Sequence, residues 1–398
     1  MPASCTRRRI PRRGFALALA ATILTMAAAS APSLFYPEIA DRLALTPVAM
    51  TLVFAVYAFT LLAALLYLGP LSDRLGRRPV VTVGSLLLAV SLLMFWTAGS
   101  LAVFLAARAL QGVAAGLLIP ALSAMMIDFE SAAQSHVAAL WNTIGPMIGL
   151  GGGALGAAIL VDLTTDPEVA VFGSLTAAFV LLAATVWTTP ELVDRSPIAR
   201  GELRPHFRVP PQLRGMFAAG VPAIVVGWAT NGLFLALGTG LVREEFGGST
   251  HTHAGIVIFV LAISGVTASL LLYRRTARTI SLYGTSALAI GTAASIGALA
   301  LHSYPAYVAS VALVGSGFGT AFLGVLRTLM PHTGSAERAA VMAVIYTVSY
   351  LAFGVPTIIA GLLVPQLTLA GTMITLGAVI VAVSAAATLL RSRLPERG

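Results

Sequence analysis

Twelve runs of apolar residues, each about as long as a membrane helix, alternate along this chain with short polar stretches. Their approximate limits are 14–36, 47–68, 79–98, 101–126, 136–161, 169–188, 215–241, 254–273, 281–301, 306–329, 338–363 and 368–390. Crossing about 30 Å of hydrocarbon takes roughly 20 helical residues. Backbone amides facing lipid must bond within their own segment, so runs of this length predict helices. Arg7, Arg8, Arg9, Arg12 and Arg13 before the first run, and Ala-Ala-Ala-Ser-Ala at its end, resemble a cleavable secretory signal. Pro32 follows that would-be cleavage site, the apolar stretch continues through Phe35, and removal would leave an odd number of spans. The first run is therefore expected to stay as a helix.

Composition agrees with this pattern. Of 398 residues, 58% are hydrophobic and 10% charged, and the mean hydropathy is +0.92. Soluble domains carry about 25% charged residues, so the chain reads as an integral membrane protein. The net charge of +9 raises the possibility of nucleic acid, but such a partner needs a folded basic face interleaved with aromatics. Here each charge cluster sits between apolar runs, so no nucleic-acid partner is expected. The single cysteine, Cys5, excludes an internal disulfide and a Cys-based metal site.

The arginines set the orientation. All 24 basic residues are Arg. With the N-terminus inside, only Arg42 and Arg243 fall outside and only Arg108 within a span. Cytoplasmic loops retain positive charge, so both termini are expected in the cytoplasm of a multi-pass cell-membrane protein. Residues 189–213, rich in Pro and Arg, read as a cytoplasmic linker between six-helix bundles at 1–188 and 214–398. Gly112, Gly116 and Gly151 recur at one constant offset as Gly315, Gly319 and Gly354, a suggestion of the parallel repeat found in transporters.

Between the second and third runs lies Gly69-Pro70-Leu71-Ser72-Asp73-Arg74-Leu75-Gly76-Arg77-Arg78. It closely resembles the loop 2–3 signature of the major facilitator superfamily, Gly-x-Leu-x-Asp-Arg-x-Gly-Arg-Arg. Arg108-Ala-Leu-Gln111-Gly112 resembles the Arg-x-x-Gln-Gly element of the 12-span drug:proton antiporter branch. Gly145-Pro146-Met-Ile-Gly149 resembles its Gly-Pro-x-x-Gly-Gly element, departing at Leu150, after which Gly151, Gly152 and Gly153 follow. The second half has only Arg274, Arg275 and Arg278 in the matching loop, without the acid. The resemblance implies an all-α integral membrane fold with twelve transmembrane helices in two six-helix bundles, working by alternating access about a central site.

Roles follow for particular residues. Gly69, Asp73, Arg74, Gly76, Arg77 and Arg78, with Gly145, Pro146 and Gly149, are gating candidates. Gly69 would let a neighbouring helix approach. Arg77 and Arg78 serve as gate and topology anchor or as anchors alone; orientation by itself needs no acid, so Asp73 points to a gate. Arg108 sits on the order of 10 Å deep, at 1.5 Å per residue. A charge there faces a cavity or a partner, or snorkels to the headgroups. Guanidinium does not deprotonate, so Arg108 can tune a carboxylate or hold an anionic substrate group but not carry the proton. No Asp or Glu lies deep in any run; Glu38 and Asp41, at the outer end of the first, are either proton carriers partnered by Arg108 or ordinary solvated acids.

By the resemblance, the first, fourth, seventh and tenth helices line the cavity. That makes Thr25, Arg108, Gln111, Trp228, Asn231 and Thr320 substrate-binding candidates, joined by Trp141, Asn142, Tyr346 and Tyr350. A largely apolar lining suits amphiphilic, drug-like ligands, although Trp and Tyr also pack between helices. His136, His251, His253 and His302 show no metal spacing. The expectation is a monomeric secondary transporter exporting small amphiphilic molecules, with protons as the exchanged partner, no cofactor and the bilayer as its solvent. The rivals are an importer or uniporter of a metabolite such as an organic anion, and a non-transporting receptor. An enzyme is disfavoured, since no catalytic triad or nucleotide-binding loop is present.

Overall fold

The structure is a computed structural model, and it describes residues 9–130, 137–193, 207–247, 250–334 and 337–393. All regular structure among the described residues is helical. Cys5, His136 and most of the linker lie outside the described residues.

Eleven helical stretches among the described residues are long and apolar enough to cross a membrane. The last, Ala340–Ser392, has 53 residues, which at 1.5 Å each is about 80 Å and more than two bilayer cores. It is two spans. They meet at Thr368, whose φ of 63° and ψ of 172° break the helix, a costly conformation for a β-branched residue. The Thr368 hydroxyl accepts the Gly371 N–H at 3.2 Å, so the same residue caps the twelfth span. Twelve spans are thus present among the described residues, as the apolar pattern predicts.

Polar caps explain other boundaries. The fourth span (Leu101–Asp128) starts at Ser100, which accepts the Val103 N–H. The ninth (Ala277–Ala300) starts at Thr276, which accepts the Thr279 N–H. The third (Arg77–Trp96) starts two residues earlier than its apolar run, taking Arg77 and Arg78 into its first turn. The first (Arg9–Ser30) passes at Pro32 into a 3-10 turn (Ala31–Phe35) and a short helix (Tyr36–Leu43).

By contacts the chain divides into two compact units: Met1–Pro32 with Phe59–Pro205, and Ser33–Ala58 with His206–Gly398. In the first, the first span packs on the fourth and on the fifth (Val137–Leu163), and the third span packs on the fourth and on the sixth. In the second, the tenth span (Tyr304–Leu329) packs on the eighth (His251–Leu271) and ninth, and the seventh (Arg214–Phe246) on the eleventh and twelfth. The second unit also holds the outer end of the first span and the adjoining half of the second (Pro47–Leu68).

Candidate functional site

In the first unit, the loop between the second and third spans is built around Arg77, whose side chain is 11% exposed. Its Nε donates to Asp128 at 2.9 Å and its Nη1 to the Ser72 hydroxyl at 2.8 Å. Nη1 also pairs with Asp73, whose side chain is 64% exposed. One guanidinium thereby links the short helix Leu71–Leu75, the third span and the end of the fourth, a forked geometry that suits Arg and not Lys. Gly76 takes φ +96°, where a side chain is strained, and a Cβ there would meet the Glu191 carboxylate at 2.6 Å. That carboxylate accepts the Arg77 and Arg78 N–H groups at 3.0 Å each. A negative charge on free N–H groups at a helix start is favourable. Gly69 has a different reason from the expected helix approach: a Cβ would meet its own chain's Leu65 carbonyl at 2.4 Å, whereas Pro120 is 3.9 Å away.

Arg108 and Gln111 are 1% and 0% exposed. Arg108 Nη1 donates to Gln111 Oε1 and to the Ala29 carbonyl at 3.3 Å, and Gln111 Nε2 donates to the Ala28 carbonyl at 2.8 Å. Pro32 has no N–H to give the carbonyl four residues back, which is that of Ala28. Gln111 supplies the missing donor. Phe95 lies beside the guanidinium, 5.5 Å from ring centroid to Cζ, within range of a cation–π contact.

The glycines of the fifth span face the first. A Cβ on Gly149 would lie 2.3 Å from the Ile23 carbonyl, and one on Gly153 2.3 Å from Ala27 Cα. A Cβ on Gly145 would meet side chains alone, Leu19 at 3.1 Å and the Thr22 methyl at 4.0 Å. Gly145, Gly149 and Gly153 follow at four-residue intervals, one helix face, so the stripe runs through Gly153 and the departure at Leu150 is off it. Leu150 instead offers its carbonyl to Ser30 Oγ at 2.8 Å. Thr25 spends its hydroxyl on Ala21 of its own helix. Asn142 reaches the Ser123 carbonyl at 3.4 Å, and Trp141 is half-buried.

In the second unit, Trp228 near the middle of the seventh span is surrounded by rings. Tyr350 lies 5.1 Å away, Phe318 and Phe322 5.8 Å, and Phe353 6.1 Å. Tyr346 stands 6.5 Å from Tyr350. Trp228, Phe318, Phe322 and Tyr346 keep part of their surface exposed, and the Trp228 Nε1 finds no acceptor among the described residues. Asn231 and Thr320 are buried, and Thr320 donates to the Ser316 carbonyl of its own helix.

Glu38 and Asp41 also belong to this unit. Glu38 Oε1 is 2.8 Å from His251 Nε2 and 3.8 Å from Arg243 Nη1, and Asp41 Oδ2 is 3.6 Å from Arg243 Nη1. Sequence reasoning gave no site role to Asp128, Glu191, Gly153, Arg243 or His251; the only local signal was that each acid stands at the end of a span. Among the described residues no three His, Cys, Asp or Glu side chains are placed to hold a metal ion.

Twelve apolar spans, with an arginine-centred ion-pair hub in one loop, define a polytopic membrane carrier. Residues 18–357 match the Major Facilitator Superfamily, and the chain belongs to that family. The multidrug transporter MdfA of Escherichia coli O157:H7 is 27% identical over 300 residues, 71% of each chain. Multidrug resistance protein D of Escherichia coli strain K12 is 35% identical over 109 residues, 27% of this chain and 28% of that one. A bacterial homolog of the human lysosomal transporter Spinster, in an inward-facing and unoccupied conformation, superposes with a TM-score of 0.74 at 12% identity, over 96% of this chain and 97% of that one. A mutant form of the nucleoside transporter NupG gives a TM-score of 0.71 at 15% identity, over 94% of this chain and 99% of that one. At such identities the two structures establish the fold alone. The protein is a multi-pass cell-membrane transporter of small molecules, and as such not an enzyme.

Proposed function

We propose that this transporter exports small amphiphilic, drug-like molecules across the cell membrane in exchange for protons, by alternating access. The observation that carries the reading is the partly exposed aromatic group around Trp228 at mid-span, with few hydrogen-bonding groups beside it. Flat apolar faces with few polar groups, namely the buried Trp228 Nε1–H and the hydroxyls of Tyr346 and Tyr350, suit an amphiphilic aromatic ligand better than a sugar. Multidrug transporters among the relatives support the same substrate class. The Arg77 hub acts as the cytoplasmic latch, and Glu38 and Asp41 remain the acids to which proton exchange is assigned.

The test is a dye and drug panel on a deletion strain carrying the gene or an empty vector, with and without a protonophore. Export that collapses with the protonophore supports the reading. Substrate accumulation in the cell driven by this protein would replace it with uptake.

A further inference from the structure

The acids at the outer end of the first span face basic partners that belong, by chain order, to the second half of the protein. The helix Tyr36–Leu43 buries Tyr36 and Ile39. It carries Glu38 and Asp41 three residues apart, so that they share a face. His251 opens the eighth span and Arg243 lies in the last turn of the seventh. The contact continues inward: Phe54 stacks on Phe353 at 5.1 Å, and a Cβ on Gly361 would overlap the Thr51 hydroxyl. On the side that the arginines mark as outer, a polar clasp therefore overlies an apolar one.

Charging His251 gives Glu38 a cationic partner at hydrogen-bond distance. Two carboxylates, Glu38 and Asp41, face one arginine, Arg243. Of the other charged groups nearby, Arg42 follows Asp41 in the last turn of the same helix, Glu244 and Glu245 continue the helix that bears Arg243, and Glu245 lies 3.7 Å from His302. His253 is engaged by Thr250 at its Nδ1 and by the Tyr304 ring. With His251 neutral, the four-residue clasp carries one net negative charge; with imidazolium it carries none. Imidazole changes charge between pH 5 and 8, and a charge-assisted hydrogen bond is about twice as strong as a neutral one.

We propose that His251, Glu38, Arg243 and Asp41 form a proton-binding latch at the outer mouth, and that uptake of one external proton by His251 locks the outer side closed. Neutral His251 with its hydrogen on Nε2 donates to Glu38. The external proton adds to the imidazole ring, which as imidazolium carries hydrogen on both nitrogens, and its Nε2–H joins it to the carboxylate. No electron moves and no other bond breaks. Because the carboxylate is beside His251 only in the closed arrangement, protonation stabilises that arrangement. The gain is present in acid and is lost as external pH rises. The inference rests on the alternating-access reading, since the latch has to part for release outside.

The test reads the opening itself. In the full-length protein in nanodiscs, with Cys5→Ser as background, spin labels at Thr46→Cys and Thr250→Cys report the outer separation at pH 5.5 and pH 8. The closed-to-open ratio is expected to fall about tenfold from acid to alkali, equivalent to about 1.4 kcal/mol. His251→Gln keeps a donor for Glu38 but does not titrate, and should abolish the response. Glu38→Gln removes the acceptor charge and should abolish it too, with more open protein at both pH values. A response retained in either variant, or absent from the parent, overturns the latch. The measurement needs no substrate, so its failure is separate from failure of the export reading, which the dye panel decides.

Discussion

The Glu191 carboxylate holds the backbone N–H groups of Arg77 and Arg78 at 3.0 Å each, with one oxygen on each. A residue just past the sixth span thus caps the third. Glu191→Ala frees two helix-terminal donors, and caps of this kind contribute about 1 kcal/mol. We expect a lower melting temperature in detergent and slower transport, with Glu191→Asp intermediate because its shorter stem cannot reach both amides. An unchanged melting temperature for Glu191→Ala would show that the cap contributes nothing.

Arg77 ties Ser72, Asp73 and Asp128 together. Lys keeps the charge but not the fork, so Arg77→Lys gives up at least one charge-assisted bond, worth about 1.5–3 kcal/mol. The arranged loop should then be occupied about tenfold less or worse. Asp73→Asn should also cut transport strongly at normal membrane abundance. If Asp73 and Asp128 act through the one guanidinium, either loss in an Arg77→Lys background adds little further. Independent, multiplying losses in transport assays would dissolve the hub.

The spans were legible because hydropathy is a local signal that survives any tertiary arrangement. The hub was legible only in half. Asp73 and Arg77 are four residues apart, but Asp128 lies 51 residues from Arg77 and Glu191 lies 114, and no periodicity links positions so distant. Arg108 shows the same limit. Its burial follows from a charge inside an apolar run, whereas its engagement with first-span carbonyls depends on Pro32 and on how two helices cross. Glu38 was read as an acid at a helix end; His251 and Arg243 reach it from a part of the chain that sequence spacing does not connect to it.

Pro32 and Gln111 are coupled through one carbonyl. Gln111→Ala leaves the Ala28 oxygen buried without its donor, a cost of about 1–3 kcal/mol. Pro32→Ala restores a backbone N–H for the same oxygen, so Gln111→Ala should cost less in that background. Neighbours sharing a partner show interaction energies of about 0.5–3 kcal/mol, and thermal melting of the four proteins measures this one. Additive effects would mean that Gln111 does not stand in for the proline's missing donor.

Trp228 offers the widest face and the unsatisfied N–H of the mid-span aromatic group. Trp228→Ala should raise KM for aromatic substrates about tenfold, equivalent to about 1.4 kcal/mol, with protein abundance unchanged. Trp228→Phe keeps the ring but loses the donor, and should penalise acceptor-bearing substrates more than plain hydrocarbon-rich ones. Equal KM values for all three proteins in vesicle transport would place the substrate elsewhere.

The fifth span contains its own control. A Cβ on Gly149 would stand 2.3 Å from the Ile23 carbonyl, which is backbone and cannot swing aside, whereas a Cβ on Gly152 would meet nothing within 4 Å. Both substitutions to Ala raise helix propensity by a similar amount, about 1 kcal/mol, so propensity cancels in the comparison. Gly149→Ala must push the first and fifth spans apart, and small-residue contact is what holds membrane helices close. We expect Gly149→Ala to lose thermal stability and transport, and Gly152→Ala to match or exceed the parent in stability with transport intact. Gly153→Ala should fail as Gly149→Ala does, because Ala27 Cα is as near. Were Gly149→Ala and Gly152→Ala to behave alike, the helix contact would have to be looser than the structure has it, and the stripe would lose its role in seating the first span.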